Sequence, residues 1–222
     1  MAIVVLSSCE KDNYDAPDAL FQGRIVYNGD PINVEWNQVR FQLWEPAYNS
    51  LIPIDVTVDQ DGSFSALLFS GTYNLSFPEN QGPYVPLENE TTNSDTIILN
   101  LNGGMTMDIE VLPYYMVRNT SFSSSNRFIS ASTQIEKIIT GENAKNIERV
   151  SLYINKSTFV SGATNIAHSD IPSADIIDMN NISLTVEVPE FLPSQNYVYA
   201  RVGVKIEGVE DMLFSEIQKV EL

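Results

Sequence analysis

Residues 182–188 read ISLTVEV, with an apolar residue at every second position. This alternation places the apolar side chains on one face and the polar side chains on the other, as in a strand of a half-buried sheet. The same period of two recurs along the chain. Up to residue 112 no window shows the spacing of an amphipathic helix, and in the second half only residues 173–179 suggest a short one. The sequence therefore predicts an all-β protein.

The second half contains four further alternating segments, at residues 129–135, 150–154, 198–206 and 214–220. The segment from Leu192 to Val220 resembles the last two strands of a fibronectin type III or immunoglobulin-like sandwich. One feature departs from that resemblance. Tyr197 and Tyr199 fall on the opposite face from the valines of this segment, whereas the corner tyrosine of such folds shares the inward face. We expect a β-sandwich whose exact strand order the sequence leaves open.

In the first half, turn signals interrupt the period of two at short intervals. Alternating segments occupy residues 21–27, 39–44, 54–58, 64–69, 73–77, 97–101 and 107–111. Asn28-Gly29, residues 59–62 and Asn102-Gly103-Gly104 are turn sequences, and the polar residues 82–94 predict a loop. About seven short strands at this spacing predict a second β-sandwich.

Three motifs of this half resemble carboxypeptidase-regulatory-like, or prealbumin-like, domains. They are Phe21-x-Gly23-x-Ile25, Asp61-Gly62-Ser63-Phe64 and Gly71-Thr72-Tyr73-Asn74-Leu75. The resemblance implies a non-catalytic accessory fold. It also implies that Gly62 and Gly71 serve backbone angles with positive φ rather than chemistry.

Pro113-Tyr114-Tyr115 marks the boundary between the halves, because proline ends ladder pairing. Charge changes there as well: residues 1–112 hold 16 acidic and three basic residues, and residues 113–222 hold 13 and nine. The sequence therefore predicts a signal and flexible tether over residues 1–19, a prealbumin-like sandwich over 20–112 and an immunoglobulin-like sandwich over 113–222.

Cys9 is the only cysteine, so no internal disulfide can form. It follows the apolar run Ile3-Val4-Val5-Leu6 and the small residues Ser7-Ser8, the pattern of a bacterial lipoprotein signal. The run is far shorter than the roughly 20 residues that span a bilayer. The alternative is a small buried hydrophobe, but the polar, acidic residues after Cys9 do not favour a core position. We expect lipidation of Cys9.

The whole order of elements resembles a family of uncharacterised two-domain lipoproteins of the Bacteroidetes. Its genes typically stand beside outer-membrane glycan-import pairs of the starch-utilisation type. The resemblance implies a lipid anchor in the outer membrane. Glu10 and Asp12 are similar to the acidic tags that direct such lipoproteins to the cell surface.

The net charge of −17 argues against nucleic-acid binding, which depends on cations that neutralise phosphates. His168 is the only histidine, so a His-based zinc site is excluded, and no Gly-x-Ser-x-Gly elbow supports a serine triad around it. Asp59-x-Asp61-Gly62 is explained by a β-turn rather than by a calcium loop. A glycosidase carboxylate pair stays open among 29 acidic residues, but nothing singles one out. We expect no catalytic residue, no metal site and no cofactor.

The aromatic residues give the better functional indication. Trp44 faces away from the apolar side of its predicted strand, and Trp36, Tyr48 and Tyr84 lie near strand ends or in loops. Exposed aromatic faces stack on the weakly positive C–H groups of sugar rings. The alternative is that Trp44 packs under a loop or against the second domain.

The function predicted is that of a non-catalytic cell-surface lipoprotein, accessory to polysaccharide binding and uptake, which binds oligosaccharide through these aromatic residues. The alternative function is a structural or docking module that contacts a neighbouring outer-membrane transporter and binds no sugar.

Overall fold

The structure is a computed structural model that describes residues 16–46, 52–89 and 91–222. Over these residues the regular secondary structure is almost entirely β, and short 3-10 helices lie at Gly141–Asn143 and Ser173–Asp175. The strands form two consecutive β-sandwich domains, which confirms the predicted fold class. Within the described ranges no helix is long and apolar enough to cross a membrane.

The strands of the first domain are β1 (Ala19–Tyr27), β2 (Asp30–Pro31), β3 (Arg40–Trp44), β4 (Ile54–Thr57), β5 (Ser63–Leu68), β6 (Gly71–Ser76), β7 (Tyr84–Pro86), β8 (Ile97–Leu101), β9 (Met105–Thr106) and β10 (Ile109–Pro113). Those of the second domain are β11 (Tyr115–Ser125), β12 (Phe128–Lys137), β13 (Ile147–Asn155), β14 (Ala167–Pro172), β15 (Ile182–Glu187), β16 (Tyr197–Ile206), β17 (Leu213–Phe214) and β18 (Gln218–Glu221).

Strand β1 is the centre of the first domain. It pairs with β5 and β9 along its first part and with β2 and β10 along its second. The resulting six-stranded sheet packs against a four-stranded sheet of order β4-β3-β6-β8.

Three buried phenylalanines join the two sheets of the first domain. The Phe64 ring of β5 lies 5.0 Å from that of Phe21 and 4.9 Å from that of Phe41 in β3, centroid to centroid. These are tilted and edge-to-face arrangements, which aromatic pairs prefer. Because side chains alternate along a strand, burial of Phe21 and Phe64 turns their neighbours Gln22 and Ser65 to the outer face of the sheet.

The two glycines of the prealbumin-like motifs differ in their role. Gly62 has φ +80°, and an added Cβ would meet the Ile32 carbonyl oxygen at 2.8 Å, as the resemblance implies. Gly71 is not among the residues with positive φ, and an added Cβ would make only ordinary contacts, the nearest at 3.7 Å. The expectation at Gly71 is wrong because it is the first residue of β6 and takes strand conformation.

In the second domain a three-stranded sheet (β11-β12-β15) packs against a five-stranded sheet around β13 and β16. Strand β15 buries Ile182, Leu184 and Val186 and exposes the residues between them, as its alternation predicts. Tyr197 and Tyr199 are half-buried opposite the buried Val198, so the departure from the corner-tyrosine pattern is real.

Some segments differ from the sequence expectation. The predicted loop 82–94 contains β7, which pairs with β10, and the predicted helix 173–179 is reduced to the 3-10 helix Ser173–Asp175. Strand β14 lies in the irregular region before that helix and buries none of its residues fully. It therefore has no alternating apolar face from which a strand could be predicted.

The two domains are hydrogen-bonded to each other through the backbone. The Phe214 amide donates to the Asn33 carbonyl oxygen at 2.9 Å, the Glu210 amide to that of Asn80 at 2.8 Å and the Asp211 amide to that of Gln81 at 2.9 Å. Phe214, Gln81 and Asp211 are buried at this contact, so separating the domains there would expose their polar backbone atoms. These hydrogen bonds join the first domain to the second.

Candidate functional site

A cleft of about 730 Å³ lies on the outer face of the six-stranded sheet. Its floor is a grid of polar side chains set by strand register. Gln22 of β1 stands beside Ser65 of β5 and Thr106 of β9, and Arg24 stands beside Ser63. Neighbouring strands are about 4.8 Å apart, so these side chains present donors and acceptors at close, regular intervals.

Trp36 and Asn37 line one side of the cleft together with Thr57, Val58 and Asp59. Trp36 is 52% exposed. Its ring lies edge-on to the ring of Phe159 from the second domain, with centroids 5.1 Å apart. The second domain thus supports the position of a tryptophan that lines a cleft in the first.

Backbone and side-chain hydrogen bonds fix the carboxylates around the cleft. Asp108 accepts from the Arg24 amide at 2.9 Å and Asp59 from the Gln60 amide at 2.7 Å, each through Oδ1. Asp61 accepts from the amide and the hydroxyl of Ser63, and its Oδ2 lies 3.7 Å from Arg24 Nη2.

The pKa of Asp61 lies below its usual value. Partial burial alone would raise that pKa, but the hydrogen bonds from Ser63 and the charge of Arg24 outweigh burial. These interactions favour the ionised form of Asp61 beside the Arg24 guanidinium.

The arrangement suits a polyhydroxylated ligand. It combines carboxylate acceptors, amide and hydroxyl groups, one guanidinium and one exposed indole, the groups that hydrogen-bond and stack on such molecules. In the part of the chain that the structure describes, no group of three or more His, Cys, Asp or Glu side chains could hold a metal ion.

Of the four aromatic residues predicted for the ligand site, Trp36 lies in this cleft. Trp44 does face away from the core of its strand, but it is half-buried on the opposite sheet, and its Nε1 donates to Ser76 Oγ at 3.1 Å. Tyr48 and the predicted lipidation site Cys9 lie outside the described residues. The structure therefore does not bring Trp36 and Trp44 into one patch.

Tyr84 corrects the expectation of an exposed ring. It is 6% exposed and packs edge-on against Phe77 at 5.5 Å, because β7 places it inside the first domain. Its hydroxyl has no hydrogen-bond partner among the described residues. Burial, with a smaller contribution from Asp211, raises the pKa of this hydroxyl far above its usual value.

Tyr84→Phe is therefore expected to raise the free energy of unfolding by about 1 kcal/mol, since it removes a desolvated hydroxyl that forms no hydrogen bond. Urea denaturation measures the change. Tyr73→Phe is the control of opposite sign, because the Tyr73 hydroxyl donates to the Phe69 carbonyl oxygen at 3.0 Å. A loss of stability in Tyr84→Phe equal to that of the control would contradict this placement of the hydroxyl.

The sequence analysis missed the polar floor of the cleft. Gln22, Arg24 and Ser65 occupy outward positions of two predicted strands, and Ser63 directly precedes the second of them, whereas the apolar pattern that indicates the fold lies on the inward positions. Their alternation with Phe21 and Phe64 does indicate that these polar side chains share the outer face of the sheet. Phe159 was missed because only tertiary structure brings it to Trp36.

The turn at Asp59–Gly62 has the β-turn geometry that the sequence predicts. The Gly62 amide donates to the Asp59 carbonyl oxygen at 2.9 Å, and the Asp59 amide donates to the Ser63 carbonyl oxygen at 2.7 Å.

The single histidine, His168, is exposed on β14, and its Nε2 lies 3.8 Å from a carboxylate oxygen of Asp170.

Comparison with known proteins identifies the family. The model described as "Protein of unknown function (DUF3823) N-terminal domain" matches residues 19–112, and the model described as "Domain of unknown function (DUF3823_C)" matches residues 115–219. A DUF3823 family protein of Bacteroides ovatus is 30% identical, and its crystal structure superposes with a TM-score of 0.79 over 93% of this chain and 100% of that one. The chain belongs to the DUF3823 family.

A DUF3823 protein of Parabacteroides merdae gives the same identity, TM-score and coverage. A Bacteroides uniformis structure described as a candidate carbohydrate binding protein is 16% identical, with a TM-score of 0.71 over 93% of this chain and 100% of that one. At that identity the likeness shows the fold alone. No curated protein matches the sequence. The two-domain family resemblance predicted from the sequence is confirmed as DUF3823.

Proposed function

We propose that this DUF3823 protein is a non-catalytic carbohydrate-binding protein whose site is the Trp36 cleft. The observation that carries the proposal is an exposed indole beside an ordered grid of hydrogen-bonding side chains on a rigid sheet. Sites of this kind place one apolar surface against the C–H face of a sugar and polar groups against its hydroxyls.

The preformed state of the cleft supports affinity. Its floor is a sheet and its carboxylates are already hydrogen-bonded to the backbone, so binding requires little ordering of the protein. The Trp36 ring packs against Phe159, a residue of the second domain. In this proposal the two domains therefore form one binding unit.

The proposed cellular role rests on the predicted lipidation of Cys9 and on the family resemblance. With lipid on Cys9, the protein would be held at the outer membrane and would face the cell surface. There it would present the cleft to polysaccharide for a neighbouring glycan-import complex. Incorporation of labelled fatty acid, lost in Cys9→Ala, tests the anchor.

Trp36→Ala is expected to weaken glycan binding at least tenfold, which corresponds to about 1.4 kcal/mol, because it removes the stacking surface. Affinity electrophoresis through gels that contain plant or host polysaccharides measures the loss. Trp44→Ala is the matched control and should keep the retardation of the parent protein, since Trp44 lies on the other sheet. Equal loss in both variants, or loss only in Trp44→Ala, would place the site elsewhere.

A second candidate function is protein docking, and one further cleft favours it. This cleft, of about 710 Å³, lies in the second domain and is lined by Phe191, Leu192 and Leu222 among others. Leu192 is 88% exposed. If no polysaccharide in a broad panel retards the protein, while Leu192→Asp abolishes co-purification with an outer-membrane transporter, the docking function is the better one.

A further inference from the structure

We propose that the Trp36 cleft selects neutral oligosaccharides and rejects those that carry carboxylate or sulfate groups. This inference rests on the proposed function and specifies its ligand class. It comes from the distribution of charge around the cleft, which is one-sided and fixed by the fold.

Acidic groups outnumber basic groups at this site. Asp59 and Asp108 line the cleft, and among the residues that the structure describes Arg24 is its one lining cation. Arg24 already lies 3.7 Å from the Asp61 carboxylate, which offsets part of its charge before a ligand arrives. The local field that a ligand meets is therefore negative.

The acidic side chains cannot easily turn away from a ligand. Oδ1 of Asp108 is held by the Arg24 amide and Oδ1 of Asp59 by the Gln60 amide. A fixed carboxylate accepts well from a sugar hydroxyl, and such charge-assisted hydrogen bonds are strong. The same carboxylate repels an anionic substituent, so one group provides both affinity for neutral sugars and rejection of acidic ones.

The net negative charge of the whole molecule also repels anionic oligosaccharides. Residues 1–112 hold 16 acidic and three basic residues, and the chain carries a net charge of −17. This wider field is screened within roughly 8 Å at physiological salt, whereas charges inside the cleft are screened less. Rejection should therefore persist at physiological salt and become stronger at low salt.

The test compares one polysaccharide in two forms. A neutral glucan or xylan that retards the protein is oxidised at part of its primary hydroxyls to carboxylates, or carboxymethylated where such hydroxyls are absent. Both forms are then used in affinity electrophoresis at low and physiological salt. We expect the anionic form to bind at least tenfold more weakly, with a larger difference at low salt.

The isosteric double variant Asp59→Asn, Asp108→Asn should recover most of the binding to the anionic form. A matched control, Glu142→Gln with Asp175→Asn, removes the same charge from exposed positions of the second domain. This control variant should recover little of the binding to the anionic form. Equal recovery in both variants would show that only the net charge matters and would overturn the inference.

Equal or tighter binding of the anionic form by the parent protein would also overturn the inference, while the proposed function would stand. If neither form of any polysaccharide is bound, the proposed function fails and the inference fails with it. The two failures are thus distinguishable by binding of the neutral form alone.

Discussion

Arg201→Ala is expected to lower the free energy of unfolding by about 3 kcal/mol or more. Arg201 is fully buried in β16. Its Nη2 donates to the Gln60 carbonyl oxygen at 2.8 Å and its Nε to that of Ser215 at 2.9 Å. Hydrogen bonds from charged donors each contribute about 1.5–3 kcal/mol, and truncation also leaves a cavity.

This arginine links the two domains at the edge of the candidate site. Gln60 lies in the turn that follows Asp59, and the guanidinium also stacks on the Phe214 ring at 4.2 Å. Burial lowers the pKa of Arg201 to about 9, which the charges of Glu35 and Asp61 oppose only in part. The guanidinium offsets the cost of its burial through these carbonyl groups, and its hydrogen bond to the Gln60 carbonyl oxygen fixes the turn to the second domain.

Urea denaturation of the purified protein measures the effect of Arg201→Ala. Arg149→Ala is the control, because Arg149 is a partly exposed arginine of the second domain, and ion pairs such as the one it forms with Glu148 contribute at most about 1 kcal/mol. Arg201→Lys should recover little of the loss, since an ammonium group cannot reproduce the fork of the guanidinium. A loss below 1 kcal/mol in Arg201→Ala would show that Arg201 does not hold the interface.

Gly23→Ala is expected to lower the free energy of unfolding at least as much as Arg201→Ala does. A Cβ at Gly23 would lie 2.0 Å from the Met107 carbonyl oxygen and 2.7 Å from its carbonyl carbon. These are backbone atoms of the segment between β9 and β10, and the Met107 amide donates to the Gln22 carbonyl oxygen at 2.9 Å. Relief of the overlap would require β1 to separate from both strands, so we expect a loss of about 3 kcal/mol or more.

Gly104→Ala is the matched control, because an added Cβ there would meet its nearest atom, the Leu20 carbonyl oxygen, at 3.6 Å. Its midpoint of urea denaturation should equal that of the parent protein. Gly23→Ala should either unfold at a much lower urea concentration or accumulate as insoluble protein. An unchanged midpoint in Gly23→Ala would contradict the packing of β1 against Met107.

The all-β fold and many of its strands could be predicted because burial of one sheet face imposes a period of two on the sequence. Strand β15 and the phenylalanine positions of β1, β3 and β5 carry that signal clearly. Strand β14 does not, because its residues are only half-buried or exposed. The loop assigned to residues 82–94 failed at Tyr84–Pro86, where pairing with β10 outweighs the proline content.

The candidate site was predicted only in part, and the reason is physical. An aromatic residue near a strand end is buried or exposed according to which other elements pack on it. Trp36 and Tyr84 look alike in the sequence but end at 52% and 6% exposure. The register that sets Gln22 beside Ser65 and Thr106 is a property of pairing between distant strands, which alternation along one strand does not specify.

In the proposed function, sugar binds against Trp36 on the outer face of β1 and β5. The protein has two tryptophans, so 5-fluorotryptophan labelling gives two fluorine resonances, assigned with Trp36→Phe and Trp44→Phe. In a titration with the neutral oligosaccharide that binds best, we expect the Trp36 resonance to shift with saturation while the Trp44 resonance stays in place. A shift of Trp44 alone, or saturable binding that moves neither resonance, would contradict it.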